Sequence, residues 1–178
     1  MSISKKIREE VRQRANFSCE FCGVTETDTG GELTIDHFQP IAKGGDDNLD
    51  NLLYCCSRCN LYKLAYFSAS SEGPALWKPR KEPFSKHFIE LDNGTLHPLS
   101  QTGEFTLVRL RLNRPPLVAY RLRNKQQRED ARLLNRYREL VKLLGQLNVQ
   151  LAELTEEQKR LLEEQQRLLK LLLGDKGE

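Results

Sequence analysis

The chain has 178 residues, of which 38% are hydrophobic and 7% aromatic, and this composition favours one modest globular core with an appendage. Its formal net charge is only +3, no stretch reaches the roughly 20 apolar residues of a membrane span, and the polar N-terminal residues lack the apolar stretch of a signal peptide. We therefore expect a cytoplasmic protein that is not embedded in a membrane.

The first third of the sequence predicts a helix, a strand, a loop and a second helix. Residues Ser4 to Arg14 carry apolar side chains at helical spacing among charged ones. Residues 33–35 are β-prone, and the proline and glycines of residues 40–45 mark a loop after them. The residues after Asp50 are expected to return as a helix.

Two Cys-x-x-Cys pairs, Cys19/Cys22 and Cys56/Cys59, bracket this strand and loop. In a reducing compartment such pairs hold zinc more often than they form disulfides. Four thiolates complete a tetrahedral shell, so the zinc should be structural. Cys55 could in principle replace Cys56, but only Cys56 keeps the two-residue spacing to Cys59.

The middle of the chain predicts an irregular arm followed by a small antiparallel β unit. Prolines and glycines interrupt residues 68–83. The runs His87–Leu91, Phe105–Leu112 and Leu117–Tyr120 have alternating or β-branched character, and Asn93-Gly94 between two such runs is a hairpin signal.

The last part of the chain has a heptad pattern, in which apolar residues alternate at spacings of three and four. They are Tyr137, Leu140, Leu144, Leu147, Leu151 and Leu154. The same phase continues to Leu172, but Thr155–Gln158 also spells a capping box that would start a separate helix. The segment is therefore one long helix or a helical hairpin, and it either packs on its own domain or joins two copies as a coiled-coil homodimer.

Positive charge is concentrated between Arg109 and Lys142, where eleven Lys and Arg residues stand against three acidic ones. Such a stretch is typical of a surface that binds a phosphate backbone, because each neutralised phosphate releases counterions. A solvated helix face explains the same charges equally well.

The motif residues occur in chain order as Ile35-Asp36-His37-Phe38-Gln39-Pro40, Lys43-Gly44-Gly45, Asn51-Leu52 and Cys56-Ser57-Arg58-Cys59-Asn60-Leu61-Tyr62-Lys63. Together they resemble the HNH endonuclease family in its zinc-containing ββα-metal, or His-Me finger, form. The resemblance covers roughly residues 17 to 63.

This resemblance implies a nuclease that hydrolyses phosphodiester bonds in DNA with a divalent ion. It implies that His37 is the general base and that Asp36 and Asn60 ligate the catalytic ion, while Asn51 positions the loop that carries the histidine. Asn60 stands where other members have a histidine, a substitution that the family commonly tolerates.

The chemistry of these residue types agrees with that expectation. An imidazole with an ordinary pKa near 6.5 can take a proton from water at neutral pH. A hard cation such as Mg²⁺ or Mn²⁺, held by a carboxylate and an amide oxygen, can neutralise charge on the phosphate. With so few protein ligands the free ion should bind weakly.

The predicted fold class is α+β, with a small ββα-metal HNH core that contains a four-cysteine zinc site, a short antiparallel β extension, and a long C-terminal helix or helical hairpin. The predicted domains are residues 1–67 for the nuclease core, 68–117 for the arm and β extension, and 118–174 for the helical segment. The alternative function is a catalytically idle zinc-knuckle module that binds DNA or acts as a scaffold.

Basic residues near the motif and in the extension are candidate contacts to DNA. They are Lys43, Lys63, Arg80, Lys81, Arg109 and Arg111. Packing of the extension onto the nuclease core is the alternative explanation for the residues of the extension.

Overall fold

A computed structural model describes residues 3–68 and 73–174, so residues 69–72 of the predicted arm lie outside the described part. Its elements, in chain order, are α1 (Lys5–Arg14), α2 (Glu26–Thr29), β1 (Thr34–His37), β2 (Leu52–Cys55), α3 (Ser57–Lys63), α4 (Phe84–His87), β3 (Phe88–Glu90), β4 (Leu96–Pro98), α5 (Gln101–Arg109) and α6 (Pro115–Gly174). Contacts divide the chain into two compact units, Met1–Lys125 and Gln126–Glu178.

The centre of the first unit is the hairpin of β1 and β2 with α3 directly after it. The two strands are antiparallel, with His37 opposite Leu52, and the loop between them contains two short 3₁₀ turns. Cys56 caps α3, because its sulfur accepts the backbone N–H of Cys59. The strand, loop and helix order expected from the sequence is therefore present, but the helix begins later than expected, because Leu52–Cys55 pair with β1 as strand β2.

The core of this unit surrounds β2 and includes residues of α1 and the arm. Val11 of α1 and the β2 residues Leu52 to Cys55 are almost completely buried. Arg12 of α1 bonds Glu26 of α2, and Glu26 accepts a hydrogen bond from the phenol of Tyr54. These hydrogen bonds hold α1, α2 and β2 together and lower the pKa of Glu26 to about 2.

The arm packs through Trp77. Its backbone N–H donates to Thr106 Oγ1 and its indole donates to the carbonyl of Glu82, at 2.8 and 2.9 Å respectively. Its ring makes edge contacts with Phe21, which lies in the first cysteine turn, and with Phe88 of β3. The arm is thus fastened to both neighbours by one buried side chain.

The β unit is smaller than the sequence predicted. The hairpin at Asn93-Gly94 is confirmed, with β3 and β4 paired around it. However, the prediction of strands at Phe105–Leu112 and Leu117–Tyr120 is wrong, because these residues belong largely to α5 and the first turns of α6.

The physical reason is visible in the burial pattern of both segments. In α5 the buried positions Gly103 and Thr106, followed by Leu110, recur at helical spacing, and Ser100 Oγ caps the helix. In α6 two prolines occupy the first turn, where the missing N–H has no cost. Tertiary packing thus overrides the β preference of the β-branched side chains.

Residues Pro115–Gly174 form one continuous helix of 60 residues, so the helical hairpin is not formed. The Thr155 hydroxyl donates to the carbonyl of Leu151 within the helix instead of starting a new one. Every described side chain from residue 126 to 172 is exposed. Within the described part, no helix is both long enough and apolar enough to cross a bilayer.

Candidate metal centre and nuclease site

Four cysteines from two turns come together beside α3. The Sγ atoms of Cys19, Cys22, Cys56 and Cys59 all lie within 4.8 Å of one another, and none forms a disulfide. The Cys22 and Cys56 sulfurs are 3.7 Å apart. Sulfurs bound tetrahedrally to zinc at about 2.3 Å would lie about 3.8 Å apart, so the cluster has the dimensions of a closed zinc shell.

Crowding of the thiols gives a further argument for a cation. Hydrogen bonding with Cys22 lowers the pKa of Cys19, whereas hydrogen bonding with Cys19 raises the pKa of Cys59. The four groups therefore cannot all ionise unless a positive ion neutralises them. Cys55 stays outside the cluster, where its thiol contacts the carbonyl of Cys56.

A positively charged side chain of the protein contacts this cluster. Arg114, just before α6, places its guanidinium Nη2 3.8 Å from the sulfur of Cys59 and donates to the carbonyl of Leu110. Donation to a thiolate offsets part of the negative charge that four sulfurs bring to a zinc ion.

His37 ends β1, and its imidazole is oriented by a carboxylate. Its Nε2 lies 2.7 Å from Asp47 Oδ1, and the side chain is partly exposed. A proton on Nε2 that is donated to Asp47 leaves Nδ1 as the nitrogen able to accept a proton. This arrangement is suited to general-base chemistry.

Asn51 holds the loop that leaves His37. Its Oδ1 accepts the N–H of Gln39, and its Nδ2 donates to the carbonyls of Gln39 and Asp46. Gly45 permits this close packing, because a Cβ there would lie 1.9 Å from the Gln39 carbonyl oxygen. A change at either residue would disturb the loop that carries Asp47.

Asp36 lies in the interface between β1 and α3, opposite Lys63. The Lys63 ammonium is completely buried, 3.0 Å from Asp36 Oδ2, and it donates to the carbonyl of His37. The Lys63 ammonium faces this buried oxygen, and no other donor of the described residues reaches it. Burial raises the pKa of Asp36, and the charge of Lys63 opposes that rise.

Asn60 projects from α3 toward the same strand. Its Nδ2 donates to Thr34 Oγ1 at 3.4 Å. Thr34 and Asp36 are two residues apart on β1, so their side chains share one face, and Asn60 lies at that face. The imidazole of His37 lies on the other face, and in the described part no hydrogen bond joins it to Asp36 or Asn60.

The residue types of this interface are those that can hold a hard divalent cation. Asp36 offers a carboxylate whose Oδ2 faces Lys63, and Asn60 uses its amide nitrogen on Thr34, which leaves its amide oxygen available. Carboxylate and amide oxygens are the ligands that Mg²⁺ and Mn²⁺ take in proteins. Lys63 is the competing charge beside them.

The candidate DNA contacts have varied surroundings. Lys43 donates to the carbonyl of Phe67, Arg80 pairs with Glu20, and Lys81 is exposed. Arg109 and Arg111 stack on Tyr66 and Tyr62, respectively. Lys63, being buried against β1, does not present its ammonium to the surface.

Three residues with direct contacts to the site were not singled out for those contacts by the sequence. Asp47 follows Gly44-Gly45 in an acidic loop, Lys63 ends the quoted motif, and Arg114 lies 55 residues after Cys59. A local signal exists for Asp47 and Lys63, which flank motif residues. For Arg114 only the folded chain shows the contact.

Comparison with known proteins agrees with this geometry. Residues 19–64 match the model of the family described as HNH endonuclease. Neither a search of curated proteins nor a search of solved structures gave a match. The matched segment contains all four cluster cysteines and the complete ββα element. Residues 19–64 of this chain are therefore similar to the HNH endonuclease domain.

Proposed function

We propose that this protein is a metal-dependent DNA endonuclease that hydrolyses phosphodiester bonds. The observation that carries the proposal is the ββα element. In it Asp47 orients the imidazole of His37 on one face of β1, and Asp36 and Asn60 supply a carboxylate and an amide at the opposite face, which supports the proposal. The similarity of residues 19–64 to the HNH endonuclease domain supplies the reaction class.

Each side chain has a separate task in this proposal. His37 accepts a proton from the attacking water at Nδ1, and Asp47 stabilises the imidazolium that results. Asp36 and Asn60 hold the divalent ion, which when bound neutralises charge on the phosphate and the departing oxygen. Asn51 keeps the loop, and with it Asp47, in position. Zinc bound to the four cysteines stabilises the fold around these residues.

Plasmid nicking tests the proposal directly. Zinc-loaded protein is incubated with supercoiled DNA in Mg²⁺ or Mn²⁺ and without either ion. His37→Ala should lower the rate by about 10²- to 10⁴-fold, the usual contribution of a general base, with zinc content unchanged. His97→Ala, at an exposed histidine of β4, is the matched control and should cut like the wild type. A His37→Ala variant that cuts at the wild-type rate would remove the proposed base.

One observation favours the idle-module alternative. The ammonium of Lys63 lies beside Asp36, where it competes with a bound cation for the carboxylate. Binding of DNA with no cleavage in either Mg²⁺ or Mn²⁺ would support that alternative.

We further propose that the second unit joins two copies of the chain. Its heptad positions carry leucines that are about half to three quarters exposed, and water is a poor environment for so many of them on one helix. Two copies would bring two candidate active sites to one duplex.

A further inference from the structure

A second cleft lies on the face of α3 opposite to β1. Asn60 and Lys63 face the strand, and Arg58 and Tyr62 point to the other side of the helix, as 3.6 residues per turn require. The cleft has a volume of about 570 Å³ and lies within the first unit, between α2, α3 and the first turns of α6.

The charges lining this cleft are mostly positive. Arg58, Arg114 and Arg123 face one acidic side chain, Asp28. Asp28 is already used in the capping box of α2, where it accepts hydrogen bonds from Thr25. Asp28 therefore does not pair with Arg58 or Arg123.

The three arginines differ in how they are held. Arg114 is fixed by Cys59 and by backbone carbonyls. Arg58 and Arg123 are exposed, and neither has an ion pair or hydrogen bond with the described residues of the chain. Two unpaired guanidinium groups at one cleft form a recognition site for phosphate oxygens.

An aromatic stack at the cleft adds a second feature. The guanidinium groups of Arg111 and Arg114 lie 4.8 and 5.7 Å from the centre of the Tyr62 ring. A flat cationic and aromatic surface next to phosphate-binding arginines is typical of nucleic-acid sites. An acidic peptide would use the arginines but not this surface.

The cleft is connected to the candidate nuclease centre. A smaller pocket of about 150 Å³ shares Thr29 and Ser57 with it and extends to Thr34. The Thr34 hydroxyl accepts the hydrogen bond of Asn60. A strand lying in the cleft would therefore pass close to Thr34 and Asn60.

We propose that the cleft between α3 and α6 binds the sugar-phosphate backbone of the DNA that enters the nuclease centre, with Arg58 and Arg123 each neutralising one phosphate. The inference rests on the proposed nuclease function and adds to it a surface that combines Arg58 of the motif with Arg123, which lies outside the matched segment. Both arginines act on binding, not on the chemical step.

The test measures DNA binding by the full zinc-loaded chain without Mg²⁺ or Mn²⁺, so that no cleavage occurs. Fluorescence anisotropy with a labelled duplex gives the dissociation constant across a range of salt concentrations. Arg58→Gln and Arg123→Gln should each lower the slope of log affinity against log salt by about one, as loss of one phosphate contact predicts. Arg8→Gln, an exposed arginine of α1 outside the cleft, is the matched control of equal charge.

Equal slopes in Arg58→Gln, Arg123→Gln and Arg8→Gln would overturn the inference. A poly-glutamate peptide that displaces the labelled DNA and binds more tightly than it would also overturn the inference, provided that Arg58→Gln and Arg123→Gln both abolish this competition. Plasmid nicking by wild-type protein separates the two proposals. If the wild-type protein cleaves DNA but the salt slopes of the two cleft variants are unchanged, only the proposed role of the cleft is contradicted. If the slopes change but the wild-type protein does not cleave, only the proposed nuclease function is contradicted.

Discussion

Lys63 shows how one buried side chain links the two faces of the site. Its ammonium neutralises Asp36 on one face of β1 and binds the carbonyl of His37, whose imidazole lies on the other. A charge without any exposure to water persists only when its partners satisfy it. Lys63 therefore holds the end of β1 against α3, and the Asp36 carboxylate depends on it.

Replacing this lysine should destabilise the fold. Lys63→Met leaves the Asp36 carboxylate buried without its partner, and removal of one member of a buried ion pair costs about 3 kcal/mol. Urea unfolding of the zinc-loaded protein at neutral pH measures the loss. The double variant Asp36→Asn with Lys63→Met should recover most of it, because no charge remains.

Lys86→Met is the control for this effect. Lys86 pairs with Glu82 at the surface, where an ion pair contributes less than about 1 kcal/mol. Equal losses for Lys63→Met and Lys86→Met would show that the Asp36 pair has no special role.

At the scale of elements, zinc connects segments that are far apart in sequence. The first cysteine turn precedes β1 and the second begins α3, and Arg114 brings the chain before α6 to Cys59. A structural zinc bound by such a cluster supplies folding free energy to the elements that carry its ligands. We therefore expect the ββα element to depend on the cluster.

Two cysteine variants test which of the adjacent residues Cys55 and Cys56 is a zinc ligand. Cys56→Ser should lose zinc and unfold the ββα element, since three thiolates bind the ion far less tightly than four. Cys55→Ser should keep one zinc per chain, because its sulfur is outside the cluster. Elemental analysis and circular dichroism measure both results, and equal zinc loss in the two variants would contradict the assigned ligands.

The sequence predicted the elements whose signal is local. Cysteine spacing and the Asn93-Gly94 turn depend on neighbouring residues, and both features are present. The strands expected at Phe105–Leu112 and Leu117–Tyr120 were wrong, because packing against His87 and Gly94 decides those segments. The partners of Lys63 and Arg114 are set by tertiary structure, which no local pattern encodes.

At the scale of the whole molecule, the second unit is a helix without a core of its own. Its described side chains are all exposed, and its heptad seam contains polar residues at Gln158 and Gln165. If two α6 helices pair in parallel and in register, each glutamine faces the same glutamine of the other chain. A polar residue of this kind in the seam fixes the register of a coiled coil. An isolated helix with so many exposed leucines would not be expected to stay monomeric.

Sedimentation equilibrium tests the predicted assembly. The full chain should have at least twice the mass of the 20.6 kDa monomer. Leu147→Glu with Leu154→Glu should shift it to the monomer, since each glutamate places charge in the seam. Val149→Glu lies on the outer face at a similar exposure and should leave the mass unchanged. A monomeric wild-type chain would refute the assembly.

The start of α6 belongs to the first unit as much as to the helix. The phenol of Tyr120 donates to the carbonyl of Gly23 in the first cysteine turn, and Arg121 donates to the carbonyls of Gly94 and Leu112. A fragment cut at the end of the matched segment, near residue 64, would therefore lack Tyr120 and the hydrogen bond that it makes to this turn. The shortest version of this protein fit for expression should extend through Lys125, and grafting the motif alone onto another scaffold should give an unstable product.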